Sequence, residues 1–123
     1  MDGGIYLAKL ISFDIDGTLE VGDPPGSITL EMVRRVKQQG YVIGSCSDRT
    51  ISTQQRIWRE AGIDVDFTVL KHQLDRVKEQ FQADQYYHIG DTDMDKYFSE
   101  KAGFDFLFVD VAVEGLPALT AQS

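Results

Sequence analysis

Strand-like and helix-like segments alternate along almost the whole of this chain, and few folds accept that order. Apolar runs at residues 5–13, 41–46 (YVIGSC), 67–70 (FTVL), 86–89 (YYHI) and 106–109 (FLFV) read as strands. Between them, apolar side chains recur at helical spacing. Leu30, Val33 and Val36 make one helical face, with Ser27 or Thr29 placed to cap it and Gly40 to end it. Ile51, Ile57, Trp58 and Ala61 make a second, opened by residues 48–50 and closed by Gly62. Leu74, Val77 and Phe81 make a third, and Met94, Phe98 and Ala102 a fourth that Gly103 closes. The tail from Val113 is weakly patterned, with Pro117 positioned to start a short helix. Such alternation predicts an α/β fold, a three-layer, doubly wound (Rossmann-like) parallel sheet of five strands with helices on both faces. There is no internal repeat, low-complexity tract or linker, so residues 1–123 are expected to form a single domain.

Composition narrows the class. A 42% hydrophobic content supplies a core without covalent help, and the single cysteine, Cys46, excludes an internal disulfide and suits a reducing compartment. No apolar stretch approaches the roughly 20 residues that cross a bilayer, and MDGGIYLAKL lacks the pattern of a signal peptide. The expectation is a cytoplasmic protein with no membrane partner. The net charge of −8 argues against a nucleic-acid partner, since the closest approach to a basic run, Arg34, Arg35 and Lys37, reads as a solvated helix face.

In an open parallel sheet ligands bind beyond the carboxyl ends of the strands, so the residues after each strand decide the chemistry. FDIDGTLE, residues 13–20, ends a buried run in two carboxylates, Asp14 and Asp16. Such charge is costly unless it is paired or used. Ser45, Ser47, Asp48 and Arg49 follow the second strand, Lys71 and His72 the third, and GDTDMD, residues 90–95, the fourth. Carboxylates crowded together repel and raise one another's pKa, and a hard cation such as Mg²⁺ removes that penalty. A carboxylate can then attack phosphorus, while a hydroxyl and an ammonium neutralise the transferring group. Phosphoryl transfer is the chemistry these residue types suggest.

The residues also carry a family resemblance. FDIDGTLE resembles the first motif of the haloacid-dehalogenase-like hydrolase superfamily, DxDGT followed by Leu or Val. GDTDMD resembles its fourth, an acid after Gly and a second acid four residues on, and YFSEKAGF the helix and glycine that follow. The resemblance runs from residue 10 to residue 110 and implies a Mg²⁺-dependent phosphatase acting on a phosphomonoester through an aspartyl phosphate. It implies Asp14 as nucleophile and metal ligand, and Asp16 as general acid and base with its backbone carbonyl on the metal. Ser47 and Lys71 would hold the phosphoryl group, with Asp48 and Arg49 beside them. Asp91 would be the second metal carboxylate, and Asp95 would support the metal or orient Lys71. Ser45 is a rival to Ser47, Lys78 a rival to Lys71, and Asp93 an additional acid.

Relatives often insert a cap domain, and the spacings from Asp16 to Ser47 and from Ser47 to Lys71 leave room for none. A capless site is open. It is expected either to be covered by a neighbouring subunit of a homo-oligomer, such as a tetramer, or to act on a large phosphorylated substrate. The VGDPPG loop, residues 21–26, is the one local lid. Two other functions compete. A receiver-like signalling module shares the layered fold and acidic metal ligands, but its phosphoacceptor follows the third strand, where this chain has Lys71. A catalytically silent, phospho- or metal-binding relative has no residue in its favour. His88 reads as a hydrogen-bonded structural histidine and Cys46 as a buried filler. Tyr86 and Tyr87 are expected to face opposite sides of the sheet.

Overall fold

A computed structural model describes residues 8–120 of the chain. The elements in order are β1 (Lys9–Phe13), α1 (Leu30–Gln38), β2 (Val42–Ser47), α2 (Ile51–Ala61), β3 (Phe67–Leu70), a 3₁₀ turn (Lys71–Gln73), α3 (Leu74–Gln80), β4 (Gln85–Gly90), α4 (Asp93–Lys101), β5 (Asp105–Phe108) and α5 (Val109–Thr120). The five strands are parallel, in the order β3-β2-β1-β4-β5. The strand order reverses between β1 and β4, so a crevice opens beyond their carboxyl ends. Phe13 pairs with Ser45 on one side and Ile89 on the other, and Ser47 pairs with Leu70. This register brings the ends of four strands to one rim.

Side chains alternate across each strand, and the two faces pack separately. Ile11, Phe13, Ile43 and Ile89 pack with Val33 and Val36 of α1, Trp58 of α2, and Ala112 and Leu116 of α5. On the other face Leu10, Cys46 and Phe67 pack with Leu74 and Val77 of α3 and with Phe104. Tyr86 and Tyr87 fall on opposite faces, as expected. Threonines start both helices that flank β2: the Thr29 hydroxyl accepts from Met32 N at 3.1 Å and that of Thr50 from Thr53 N at 3.2 Å.

The chain end departs from its sequence reading. Val109 is not the last residue of a strand, and Pro117 does not start a helix but lies inside one. β5 stops at Phe108, and α5 runs without a break from Val109 through Pro117 to Thr120. Val109, Ala112, Val113 and Leu116 hold the 3,4 spacing of a core-facing helix and pack on the α1 side. Gly115 and Pro117 masked that spacing, because both are poor interior helix formers. Of the first strand expected at 5–13, residues 5–7 lie outside the described residues. Among the described residues there is no cap: residues 14–29 form a loop with one isolated bridge, Leu19 to Ile28, and only α2 separates β2 from β3. No helix of the described residues is long and apolar enough to cross a membrane.

Candidate active site

The inner part of the rim is a carboxylate cluster. Asp14 continues the β1–β4 ladder one residue past the strand, its N–H donating to Ile89 O at 2.9 Å, which fixes its side chain at the reversal point. Asp14 is 5% exposed and Asp95 fully buried, whereas Asp91 is exposed. One oxygen from each of these three carboxylates lies within 4.8 Å of the others. Gly17 makes the approach of Asp91 possible. It sits at φ 77°, in the left-handed region, and a Cβ there would come within 1.9 Å of Asp91 Oδ2.

Asp95 organises this cluster through the start of α4. Its N–H donates to the Thr92 hydroxyl at 3.1 Å, and its own Oδ2 accepts from Thr92 N and Asp91 N, each at 3.1 Å. This reciprocal cap satisfies the donors that a helix N-terminus leaves unpaired. The other oxygen, Oδ1, lies 2.9 Å from Lys71 Nζ. Lys71 enters from the turn after β3, reaches Asp48 at 3.3 Å on its outer side, and stands over the Phe98 ring at 5.5 Å.

These neighbours divide the charge unevenly. Burial, with repulsion from Asp95, pushes the Asp14 carboxyl up to about 8 despite the attraction of Lys71. Burial alone would also raise Asp95, but the Lys71 ammonium and the hydrogen bonds it accepts bring it down to about 2. Burial pulls Lys71 down, yet Asp95 and Asp14 together hold it above its ordinary value. Asp91 is raised by burial and by Asp95. Asp95 and Lys71 thus form a fixed ion pair, beside which two further carboxylates ionise reluctantly.

The outer part of the rim is built differently. Asp16 is half-buried, and Arg49 grips its carboxylate with Nε at 3.2 and 3.1 Å from the two oxygens and Nη2 at 2.8 Å from Oδ1. Asp23 N adds a fourth contact at 2.8 Å. The Arg49 hydrogen bonds outweigh burial and hold Asp16 below the usual carboxylate range. The 21–26 loop folds back on the same turn, with Gly17 N donating to Pro24 O at 2.6 Å and Gly26 N to Leu19 O at 2.9 Å. Ser47, buried at the end of β2, accepts from Arg49 N at 3.0 Å and so shapes the turn that delivers Arg49.

The rival residues lie elsewhere. Ser45 donates to Gln54 at 2.6 Å and accepts from Trp58 Nε1 at 2.9 Å, deep under α2. Lys78 is engaged with Gly103 O and the Tyr86 ring at the far end of α3. Asp93 is exposed and lies outside the three-carboxylate group. His72 is exposed and lines a cleft of about 340 Å³ between α3 and α4, together with Lys71, Tyr97 and Phe98. His88 is buried, bonded through Nδ1 to the Ser12 hydroxyl at 3.0 Å, and desolvation lowers it to about 4. Cys46 is buried, and its thiol is pushed up by desolvation.

Sequence reasoning missed Gln54, which is fully buried and donates to Arg49 O at 2.9 Å and Val69 O at 3.1 Å, tying the Arg49 turn to β3. Its signal was its spacing: it lies four residues before Trp58, on the same helical face. The Arg49–Asp16 pairing and the steric role of Gly17 were missed too, and neither has a local sequence signal.

No protein-family model matches this chain, and no curated protein does. Among solved structures it is similar to the D,D-heptose 1,7-bisphosphate phosphatase from Burkholderia thailandensis, with 17% identity and a TM-score of 0.66 over 93% of this chain and 99% of that one. A likeness at that identity shows the fold alone, and the fold is haloacid-dehalogenase-like.

Proposed function

We propose that this chain is a Mg²⁺-dependent phosphomonoester phosphatase with Asp14 as its nucleophile. The observation that carries the reading is the placement of Asp14: buried at the strand-order reversal, within 4.8 Å of two other carboxylates and beside the Lys71–Asp95 pair. The fold it shares with a phosphatase supports it. The donor set fits a hard cation, because it offers only oxygens and because Asp14 and Asp91 are raised by burial and by repulsion from Asp95, both of which a cation offsets. Asp14, Asp91 and the Asp16 carbonyl would hold it, and Asp95, whose oxygens are already engaged, would orient Lys71. Bound there, the cation would neutralise carboxylate charge and draw the phosphoryl group toward Asp14.

The chain's own groups complete the reaction. An Asp14 oxygen bonds to phosphorus as the bond to the leaving oxygen breaks, and that oxygen takes a proton from Asp16. Asp16 then accepts a proton from water, the water oxygen bonds to phosphorus, and the Asp14–phosphorus bond breaks to release phosphate. Lys71 and the Ser47 hydroxyl balance the charge on the phosphoryl oxygens. The substrate is accordingly a phosphorylated compound, and residues 1–123 act as one domain.

The test is phosphate release from p-nitrophenyl phosphate with Mg²⁺ or with EDTA, for the wild type and for Asp14→Asn. Turnover that needs Mg²⁺ and Asp14 is the expected result. One phosphate retained per chain without turnover would instead favour the signalling reading.

A further inference from the structure

We infer that the Arg49–Asp16 pair is a resting-state clamp, released by substrates that bring a second anionic group for Arg49. This rests on the phosphatase reading of Asp16 and adds the substrate class. The clamp is defined by who occupies Asp16. Oδ1 accepts from Asp23 N at 2.8 Å, Arg49 Nη2 at 2.8 Å and Arg49 Nε at 3.2 Å, and Oδ2 accepts from Arg49 Nε at 3.1 Å. Oδ1 is thus filled, while Oδ2 shares the Arg49 Nε–H and keeps one lone pair, so Arg49 competes with a leaving-group oxygen for Asp16 until it lets go. Arg49 is able to let go. Its side chain is 29% exposed and that of Asp16 35%, and among the described residues its guanidinium hydrogen-bonds only to Asp16.

What draws it off follows from the geometry of guanidinium. A planar fork that holds a carboxylate with two nitrogens fits a phosphate or another carboxylate equally well, and a lysine does not reproduce it. A substrate with one phosphoryl group spends that group at Asp14 and has nothing to offer in exchange. A substrate with a second phosphate or carboxylate a few bonds beyond the scissile oxygen replaces Asp16 on Arg49. That exchange frees Asp16 beside the leaving oxygen and anchors the far end of the substrate in one step. Ser47 and Gln54, which bond the backbone of Arg49, hold the hinge of this movement in place.

The test compares fructose 1,6-bisphosphate and 3-phosphoglycerate with fructose 6-phosphate and glycerol 3-phosphate, in the wild type, Arg49→Gln and Arg49→Lys. In the wild type kcat/KM should favour the doubly anionic members, the bisphosphate and the phosphoglycerate arms showing which second anion is read. In Arg49→Gln the two classes should move in opposite directions. The singly anionic substrates gain roughly two- to fivefold, the equivalent of opening one partly exposed pair, and the doubly anionic ones lose about tenfold or more. Arg49→Lys, which keeps the charge, should recover part of the preference and guards against a folding defect. Equal losses for both classes would make Arg49 a structural tie only and overturn the clamp. A binding arm separates this from failure of the phosphatase reading. Titration of Asp14→Asn with fructose 1,6-bisphosphate and fructose 6-phosphate, in Mg²⁺, should show tighter binding of the bisphosphate that Arg49→Gln abolishes. Equal affinities there sink the clamp whether or not the wild type turns over.

Discussion

The two halves of the rim solve the same problem at different depths. On the inner side Lys71 meets Asp95, with side chains 22% and 0% exposed; on the outer side Arg49 meets Asp16, at 29% and 35%. Both are cation–carboxylate pairs that join the segment after one strand to the segment after another. The inner pair is also welded to the backbone by the α4 cap, and beside it Asp14 and Asp91 resist ionisation through burial first and repulsion from Asp95 second. The outer pair is wetter, and its carboxylate is held by a guanidinium and one loop N–H. The depth of the carboxylate therefore decides whether a pair fixes the charge of a site or can be exchanged, since water screens the outer pair more than the inner one.

The sharpest way to break this contrast is at Asp14. Asp14→Asn should lower kcat for p-nitrophenyl phosphate by about 10³-fold or more, the scale on which loss of a nucleophile is felt, with circular dichroism unchanged. The same residue gives the inner cluster a pH signature. Between 3.8 and about 8 the folded state keeps a proton on Asp14 that the unfolded chain has released. Stability of the cation-free protein should then fall as pH rises through that window. Thermal unfolding in EDTA should show the fall, and Asp14→Asn should flatten it. Mg²⁺ should raise the melting temperature more at pH 8 than at pH 5, because binding expels that proton. A slope unchanged in Asp14→Asn would remove the raised Asp14 carboxyl from the account.

Lys71→Met comes next. It leaves the fully buried Asp95 facing Asp14 with no cation, and breaking a buried pair by removing one partner costs about 3 kcal/mol even at the low end. Urea unfolding reads it, and Lys71→Met combined with Asp95→Asn should recover part of the loss. Gly17→Ala follows, at about 1–3 kcal/mol for a non-glycine residue in the left-handed region. The new methyl would also push Asp91 out of the cluster, so its effect on Mg²⁺ dependence should exceed its effect on folding.

The sheet and its site were unequally legible in the sequence. The types and bounds of the elements follow from local periodicity, which is why β2, β3, α2 and α4 were readable to within a residue or so, although Met94, read as part of the apolar face of α4, is 64% exposed and Asp95 and Ser99 are buried there instead. The end of the chain was not, because Gly115 and Pro117 speak for a loop, while burial of Ala112 and Leu116 against α1 overrides them. At the site, the acids after β1 and β4 stand out because charge at the end of an apolar run needs an explanation. Their partners do not. Nothing local to Arg49 says that it reaches 33 residues back to Asp16, and nothing local to Gly17 says that Asp91 lies against it. Those contacts exist only once the sheet has set the loops side by side.

The smallest expected effect sharpens the comparison most. Arg49→Gln should cost less than about 1 kcal/mol in urea unfolding, although it removes three hydrogen bonds to Asp16. Both side chains are about a third exposed, so water replaces the guanidinium at Asp16, and Asp23 N still holds Oδ1 at 2.8 Å. The backbone of the turn is kept by Gln54 and Ser47, which bond main-chain atoms of residue 49 and so survive the change of side chain. The pH profile should shift with it. Asp16, no longer held down by Arg49, contributes less stability above the ordinary carboxylate pKa, so Arg49→Gln should differ least from the wild type in acid and most at neutral pH. A cost near that of Lys71→Met would mean that the outer pair is as structural as the inner one, and the two halves of the rim would no longer be different in kind.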